Sequence, residues 1–286
     1  YNQQWFHETV AGGVLGGGDF PPINTHQNVV LYMGNISYKF NQNLMLYGRI
    51  ASGYRPGGPN AVAEDPVTHQ YAGSSSFTAD KLVSYEVGFK GTLLHKKLLI
   101  DADAFLINWR NMQIPVYING YSLIGNAGAA RIMGIEGTVT YMPIDHLRIV
   151  DSISLNQGQL TTNEATNLGG YSGDQLPNSP RFTNSFMVDY SFTTLGHKTN
   201  VGANVNYIGP RVSGFNAMAG APQYRLGDYT TLGLHGEMTL GRWNAQVYLH
   251  NLNNSRGIIS AQTLLGYGQV TYLQPRTAGF NLNLKF

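Results

Sequence analysis

Along much of this chain apolar and polar positions alternate one for one. In Val201-Gly202-Ala203-Asn204-Val205-Asn206-Tyr207 one face reads Val, Ala, Val, Tyr and the other Gly, Asn, Asn. From Phe182 to Phe192 one face carries Phe182, Phe186, Val188, Tyr190 and Phe192, with Asn184 as the exception. The opposite face carries Thr183, Ser185, Met187, Asp189 and Ser191. Met133, Ile135, Val139 and Tyr141 stand against Glu136, Thr138 and Thr140, and Val83, Tyr85, Val87, Phe89 and Leu93 against Ser84, Glu86, Lys90 and Thr92. Near the end of the chain Ala278, Phe280, Leu282, Leu284 and Phe286 oppose Asn281, Asn283 and Lys285. A period of two belongs to the β-strand, whose successive side chains point to opposite faces. These segments are therefore strands with one oily face and one wet face. Read this way, the chain holds about twelve strands, at 1–10, 29–40, 43–54, 81–94, 98–117, 130–143, 146–160, 180–192, 198–211, 226–240, 242–254 and 274–286.

The connections alternate as well. Asn41-Gln42-Asn43, His95-Lys96-Lys97, Asp145-His146 and Gly241-Arg242 are tight turns, and between them lie long polar loops at 55–80, 118–129, 161–179, 212–225 and 255–273. Short turns at one end, long loops at the other, an oily exterior and a polar interior describe an outer-membrane β-barrel. In hydrocarbon every backbone group must be paired, which a closed sheet achieves. Tyr38, Phe40, Tyr54, Tyr141, Tyr190, Phe192, Tyr207 and Phe286 sit near strand ends, as interfacial aromatic girdles do. A soluble sandwich or propeller is disfavoured, because its strands usually run about 5–6 residues. A helical membrane bundle needs stretches of about 20 apolar residues, and groups such as Leu98-Leu99-Ile100 are broken within a few positions.

Composition narrows the picture further. Of 286 residues 12% are charged, about half the usual share of a soluble domain, roughly 25%. The 35 glycines exceed average usage. Many aromatics and a net charge of only +2 argue against disorder. The few, scattered basic residues argue against a nucleic-acid partner. With no Cys there is no disulfide, no thiolate nucleophile and no Cys-ligated metal. Tyr1-Asn2-Gln3-Gln4 lacks the basic region and apolar core of a secretory signal, and the absence of Met at position 1 points to a mature or partial chain.

Several segments, taken in order, resemble the C-terminal part of the TonB-dependent outer-membrane receptor family. Tyr47-Gly48-Arg49-Ile50-Ala51-Ser52-Gly53-Tyr54-Arg55-Pro56-Gly57-Gly58-Pro59-Asn60 is similar to a family strand entering an outer loop. Ser84-Tyr85-Glu86-Val87-Gly88-Phe89-Lys90 resembles the family's next strand, running back down, and Asn108-Trp109-Arg110-Asn111-Met112-Gln113 its next motif. Asn126-Ala127-Gly128 with Gly134-Ile135-Glu136, Leu176-Pro177-Asn178-Ser179-Pro180-Arg181, and Asn251-Leu252-Asn253-Asn254 are similar to later family motifs. Arg276-Thr277-Ala278-Gly279-Phe280 through Phe286 resembles the family's last strand, with Phe286 as its membrane-assembly signal. The resemblance covers residues 29–286 and implies an all-β transmembrane antiparallel barrel in the bacterial outer membrane. It also implies that residues 1–286 are one barrel domain, the latter part of twenty-two strands, with neither plug nor energy-coupling box in this chain. The implied function is TonB-dependent uptake of a scarce nutrient, with a ferric siderophore as the leading ligand and cobalamin, haem and oligosaccharide as others. The implied partners are outer-membrane lipid and lipopolysaccharide, and the TonB energising complex acting through a plug. A free-standing twelve-stranded pore or adhesion barrel is the alternative.

Eight of the eleven arginines fall near the long-loop end: Arg55, Arg110, Arg131, Arg181, Arg211, Arg225, Arg256 and Arg276. The planar guanidinium suits bidentate capture of carboxylate or phosphate, so an outer rim that grips anions is expected, on lipopolysaccharide or on an entering ligand. The structural reading is that these arginines snorkel and pair with local acids. Arg55, Arg211 and Arg225, with the loop aromatics Tyr71, Tyr171, Phe215 and Tyr224, are the candidate ligand contacts at the outer mouth; Phe77, Tyr121 and Tyr267 are further loop aromatics. Glu86, Lys90, Glu136 and Asp189 face the lumen, where they contact a plug or pair along the wall. No cofactor and no metal is expected, since no histidine pair has the helical spacing of a zinc protease. No catalytic residue is expected either. His250 and Ser255 are the nearest His–Ser neighbours in sequence, and they stand at different places relative to the strand end. Gly12-Gly13 and Gly16-Gly17-Gly18 lack the Lys-Ser/Thr of a phosphate loop.

Overall fold

The computed structural model describes residues 2–8, 23–60, 73–118, 121–163, 169–215, 222–264 and 267–285. Eleven strands form one antiparallel wall, each hydrogen-bonded to its neighbours in chain order. They are β1 (Met33–Asn41), β2 (Leu44–Arg55), β3 (Asp80–Leu93), β4 (Leu98–Arg110), β5 (Ala129–Tyr141), β6 (Leu147–Leu160), β7 (Phe182–Thr194), β8 (His197–Ile208), β9 (Tyr229–Leu240), β10 (Trp243–His250) and β11 (Thr277–Leu284).

The register turns the alternation into two surfaces. Val87 pairs with Gly48 on one side and Ala104 on the other, and Ile135 pairs with Ala104 and Leu155. These residues share one face, where Val87 and Ile135 are each 59% exposed and Phe280 is 66% exposed. An apolar surface of that extent is a liability in water and is what bilayer lipid requires of a barrel exterior. The opposite face carries the row Tyr47, Gly88, Asp103, Glu136, Ser154, read across β2 to β6. That is the lumen side.

Tight turns close one end. Leu195-Gly196 joins β7 to β8 with both residues at positive φ, 51° and 77°, the conformation that matches the twist of a two-residue hairpin. Tyr38 and Phe40 meet edge-on at 4.9 Å, and Tyr190 stacks with Phe192 at 5.8 Å, on strands next to these turns. Phe182 and Tyr207 pair at 5.6 Å near the other end. The apolar band is thus bordered by aromatics at both interfaces.

The long loops at the other end carry short ladders of their own: Gly58–Pro59 with Ser76–Phe77, Gln113–Ile118 with Tyr121–Asn126, Arg211–Val212 with Arg225–Leu226, and Ile258–Leu264 with Tyr267–Tyr272. The buried apolar cluster of the described residues lies here and not inside the wall. Met112, Val116, Leu123, Ala127, Ala130, Leu160, Leu176 and Phe215 form it.

Two strand expectations change. The stretch expected as a first wall strand, 1–10, is Asn2–Glu8, paired with Ile23–Val29 in a separate hairpin. Its hydrogen-bonded partner is the second strand of that hairpin and not a strand of the wall. The wall therefore has eleven strands, not twelve, among the described residues. The strand expected at 98–117 breaks after Arg110, where Asn111 adopts φ 58° and turns the chain into the Gln113–Ile118 hairpin.

Candidate functional site

The first two outer loops are locked together at the rim by one buried carboxylate. Asp80 opens β3 opposite Arg55, the last residue of β2. It is 1% exposed. It accepts hydrogen bonds from the Arg55 backbone N–H at 2.9 Å and Nε at 2.7 Å, from Trp109 Nε1 at 3.0 Å and from the Gln113 backbone N–H at 3.3 Å. The Arg55 guanidinium also lies 5.0 Å over the Trp109 ring. An ionised carboxylate taken out of water needs this many donors to be tolerated. Amides extend the lock. Gln113 Nε2 donates to the Pro56 and Thr78 carbonyls at 2.8 and 3.1 Å. Asn60, also buried, donates to the Ser74 and Ile124 carbonyls and accepts from the Ile124 N–H, at 2.8–3.0 Å.

Behind this lock the loops enclose a cavity of about 530 Å³. Trp109, Met112, Leu176, Phe215 and Pro222 supply apolar wall, while Gln113, Asn178, Ser213, Ser260 and Gln262 supply polar groups. Among the described residues no charged side chain lines it. Apolar walls with a few converging polar groups are the usual make-up of a small-ligand site.

The expected mouth residues divide. Arg55 is a strut of the rim lock. Arg211 is 7% exposed and donates from one guanidinium nitrogen to the Ile258 and Ile259 carbonyls at 2.9 and 2.8 Å. It lies 5.6 Å over the Tyr229 ring. Its other terminal nitrogen, Nη1, is buried with no partner among the described residues. Phe215, 1% exposed, is a core residue of the loop cluster and also borders the cavity. Tyr224 is half-buried, and its backbone N–H bonds to Ser213 Oγ at 3.0 Å. Arg225 and Tyr171 are exposed; the Tyr171 N–H donates to the Asp174 carboxylate at 2.8 Å. Tyr71 and Phe286 lie outside the described residues.

The four lumen residues are paired along the wall. Glu86 accepts from the Tyr47 hydroxyl at 2.7 Å, and Lys90 pairs with Asp101. Glu136 accepts from Ser154 at 3.0 Å. Asp189 meets His235 Nε2 at 3.0 Å and Arg148 at 3.9 Å. Among the described residues no group of three or more His, Asp or Glu is placed to hold a metal ion. Asp80, Trp109, Gln113 and Asn60 are the residues that sequence reading passed over. Trp109 and Gln113 stand inside one family-like motif, but their common partner, Asp80, is about thirty positions away and has no local signature.

An open, one-side-apolar wall with tight turns at one end and a stitched loop layer over a polar lumen defines the class. The chain belongs to the TonB dependent receptor-like β-barrel family, whose profile matches residues 4–254, and its place is the bacterial outer membrane. The pesticin receptor of Yersinia enterocolitica is 27% identical over 284 residues, covering 96% of this chain and 39% of that protein. The catecholate siderophore receptor Fiu of Escherichia coli O157:H7 is 23% identical over 281 residues, covering 97% of this chain and 36% of that protein. Among solved structures, the ferric yersiniabactin uptake receptor FyuA from Yersinia pestis superposes with a TM-score of 0.75 at 21% identity, over 99% of this chain and 41% of that one. The chain thus spans about two-fifths of the length of the relatives it matches. The family is made up of receptors and transporters.

Proposed function

We propose that this chain forms half of the barrel wall, and part of the outer mouth, of a receptor that takes up a ferric siderophore across the outer membrane by TonB-dependent transport. The observation that carries this reading is the apolar-walled cavity, with no charged side chain among its described lining residues, under the outer loops of a wall of this family. Its size suits an aryl-bearing small molecule. Ferric yersiniabactin uptake by FyuA and catecholate siderophore reception by Fiu favour the same ligand class. In this reading the ligand's rings enter the cavity against Trp109 and Phe215. Arg225 and Tyr171 meet its polar rim from outside, and Glu86, Lys90, Glu136 and Asp189 face a plug through which the TonB complex acts. Lipopolysaccharide surrounds the wall.

The test is isothermal titration of the purified full-length receptor with ferric catecholate, phenolate and hydroxamate siderophores, beside iron-limited growth of a strain lacking it. One aryl-bearing class is expected to bind at micromolar concentration or tighter. Gln262→Glu, which puts a carboxylate into the cavity, is expected to weaken that binding about tenfold, since a neutral site becomes repulsive to an anionic complex. Binding of none of the three classes, with growth unaffected, overturns the reading. The passive-pore alternative makes a different forecast: steady conductance in planar bilayers, where a plugged receptor conducts hardly at all.

A further inference from the structure

The lipid-facing surface carries a cluster of cations that the transport reading does not use. Along β3 the outward apolar run extends from Val83 to Leu93. Ten strand steps of about 3.3 Å at a tilt of about 40° rise about 25 Å, the height of a barrel's hydrocarbon band. The next outward residue beyond this run is Lys81. It stands directly opposite Arg110 of β4, and Arg131 of β5 is paired with Asn108, one outward position below Arg110. Leu106 on β4 and Met133 on β5 continue the apolar band immediately beneath. Three cations on three adjacent strands therefore crown the band on the side that meets lipid, at the loop end.

All three are exposed. Among the described residues no acid forms an ion pair with any of them. Arg131 meets an amide instead: its Nε donates to Asn108 Oδ1 at 3.3 Å. Directly opposed residues of a ladder have Cβ atoms about 5 Å apart, and like charges so placed destabilise it. The arrangement calls for an anion held between the side chains. Guanidinium groups favour the forked geometry of phosphate oxygens. The apolar band below offers a seat for acyl chains, so the charge and the oil belong to one ligand.

We propose that Lys81, Arg110 and Arg131 form a binding site on the barrel exterior for the phosphate groups of an outer-leaflet glycolipid of the lipid A type, whose acyl chains lie against Val83, Tyr85, Leu106 and Met133. The site rests on the outer-membrane placement of the wall and is independent of which nutrient enters the mouth.

Native mass spectrometry of the detergent-purified full-length receptor, titrated with bisphosphorylated lipid A, tests it. At roughly fivefold per charge, the triple variant Lys81→Gln, Arg110→Gln, Arg131→Gln is expected to bind about a hundredfold more weakly. Its barrel is expected to keep its heat-dependent gel mobility and its siderophore affinity. A charge-matched variant at the tight-turn end, Lys96→Gln, Lys198→Gln, Arg242→Gln, is expected to bind lipid A as the wild type does. Dephosphorylated lipid A is expected to bind wild type and triple variant equally poorly. If the triple variant does not assemble, Arg110→Gln alone is read in the same way, with about fivefold expected. Equal binding by wild type and variant overturns the site, as does tight binding of the dephosphorylated lipid by the wild type. Saturation of these side chains by submillimolar inorganic phosphate without lipid assigns the site to the free anion and overturns the lipid.

Discussion

Two polar pairs show how single residues bear on this wall. Asp80 gathers four donor groups from three residues at the rim, so Asp80→Ala removes the acceptor of the Trp109 N–H, the Gln113 N–H and the Arg55 guanidinium together. At about 1–3 kcal/mol for each buried group left unsatisfied, loss of the acceptor for the Trp109 and Gln113 N–H groups is expected to cost the loop layer a few kcal/mol, while the half-exposed Arg55 guanidinium turns to water and the Gln113 carbonyl. Faster protease cleavage between residues 56 and 79, with the barrel intact, is the readout. Asp151 is the second case. It faces outward opposite Val139 and Phe186, and accepts from Asn184 Nδ2 at 2.6 Å. Asn184, the one break in the oily face of β7, is therefore explained by a carboxylate on the neighbouring strand. Asn184→Leu alone is expected to destabilise the barrel by about 2 kcal/mol, because it leaves Asp151 unpaired. The double change Asn184→Leu with Asp151→Val is expected to restore or exceed wild-type stability, since a paired buried charge is replaced by packing. Urea midpoints in lipid vesicles measure both.

At the scale of strands, glycine decides which side chains meet across the lumen face. One row runs Arg148, Asp189, Gly202, His235, Tyr248, Gly279 from β6 to β11. A Cβ added at Gly202 would stand 2.3 Å from the His235 ring and 2.4 Å from an Asp189 oxygen. His235 and Asp189 thus touch only because the strand between them carries no side chain. The same device lays the Tyr248 ring over Gly279, where a Cβ would stand 2.2 Å from it. Gly202→Val is expected to split the His235–Asp189 contact and to lower barrel stability by about 1–3 kcal/mol, read as a lower temperature for loss of the compact gel band. Gly241→Ala, in a tight turn at φ 61° with nothing within 4 Å of the added carbon, is expected to cost about 1 kcal/mol through backbone conformation alone.

At the scale of the whole chain, the described residues form an eleven-stranded wall whose two end strands, β1 and β11, each have one hydrogen-bonded neighbour among those residues. All nine residues of β1 are exposed. An open sheet edge does not persist in hydrocarbon, and outer-membrane transporters of this kind close with twenty-two strands. Residues 1–286 expressed alone are therefore expected to give neither a heat-modifiable barrel nor a steady conductance. Co-expression with the complementary strands of a full-length receptor is expected to restore the heat-modifiable barrel. A stable, conducting species from residues 1–286 alone would instead revive the small-pore alternative.

Much of this was legible along the chain. A bilayer demands a strict two-residue rhythm, and that demand is local, so the oily and wet faces, the tight turns and the loop end could be read directly from neighbours in sequence. The first hairpin and the break at Asn111 escaped because alternation does not say which strand a segment pairs with. The mouth escaped for a further reason. Arg55 and Arg211 look like anion grips in sequence, yet their partners, Asp80 and the carbonyls of Ile258 and Ile259, lie 25 to 48 positions away. Sequence by itself determined a membrane wall and its two ends. Only the tertiary structure decided which cations are spent as struts, which cavity is lined without charge among the described residues and which three cations face lipid with no acid paired to them among those residues, because pairing across strands and loops depends on register and closure rather than on any residue's neighbours in the chain.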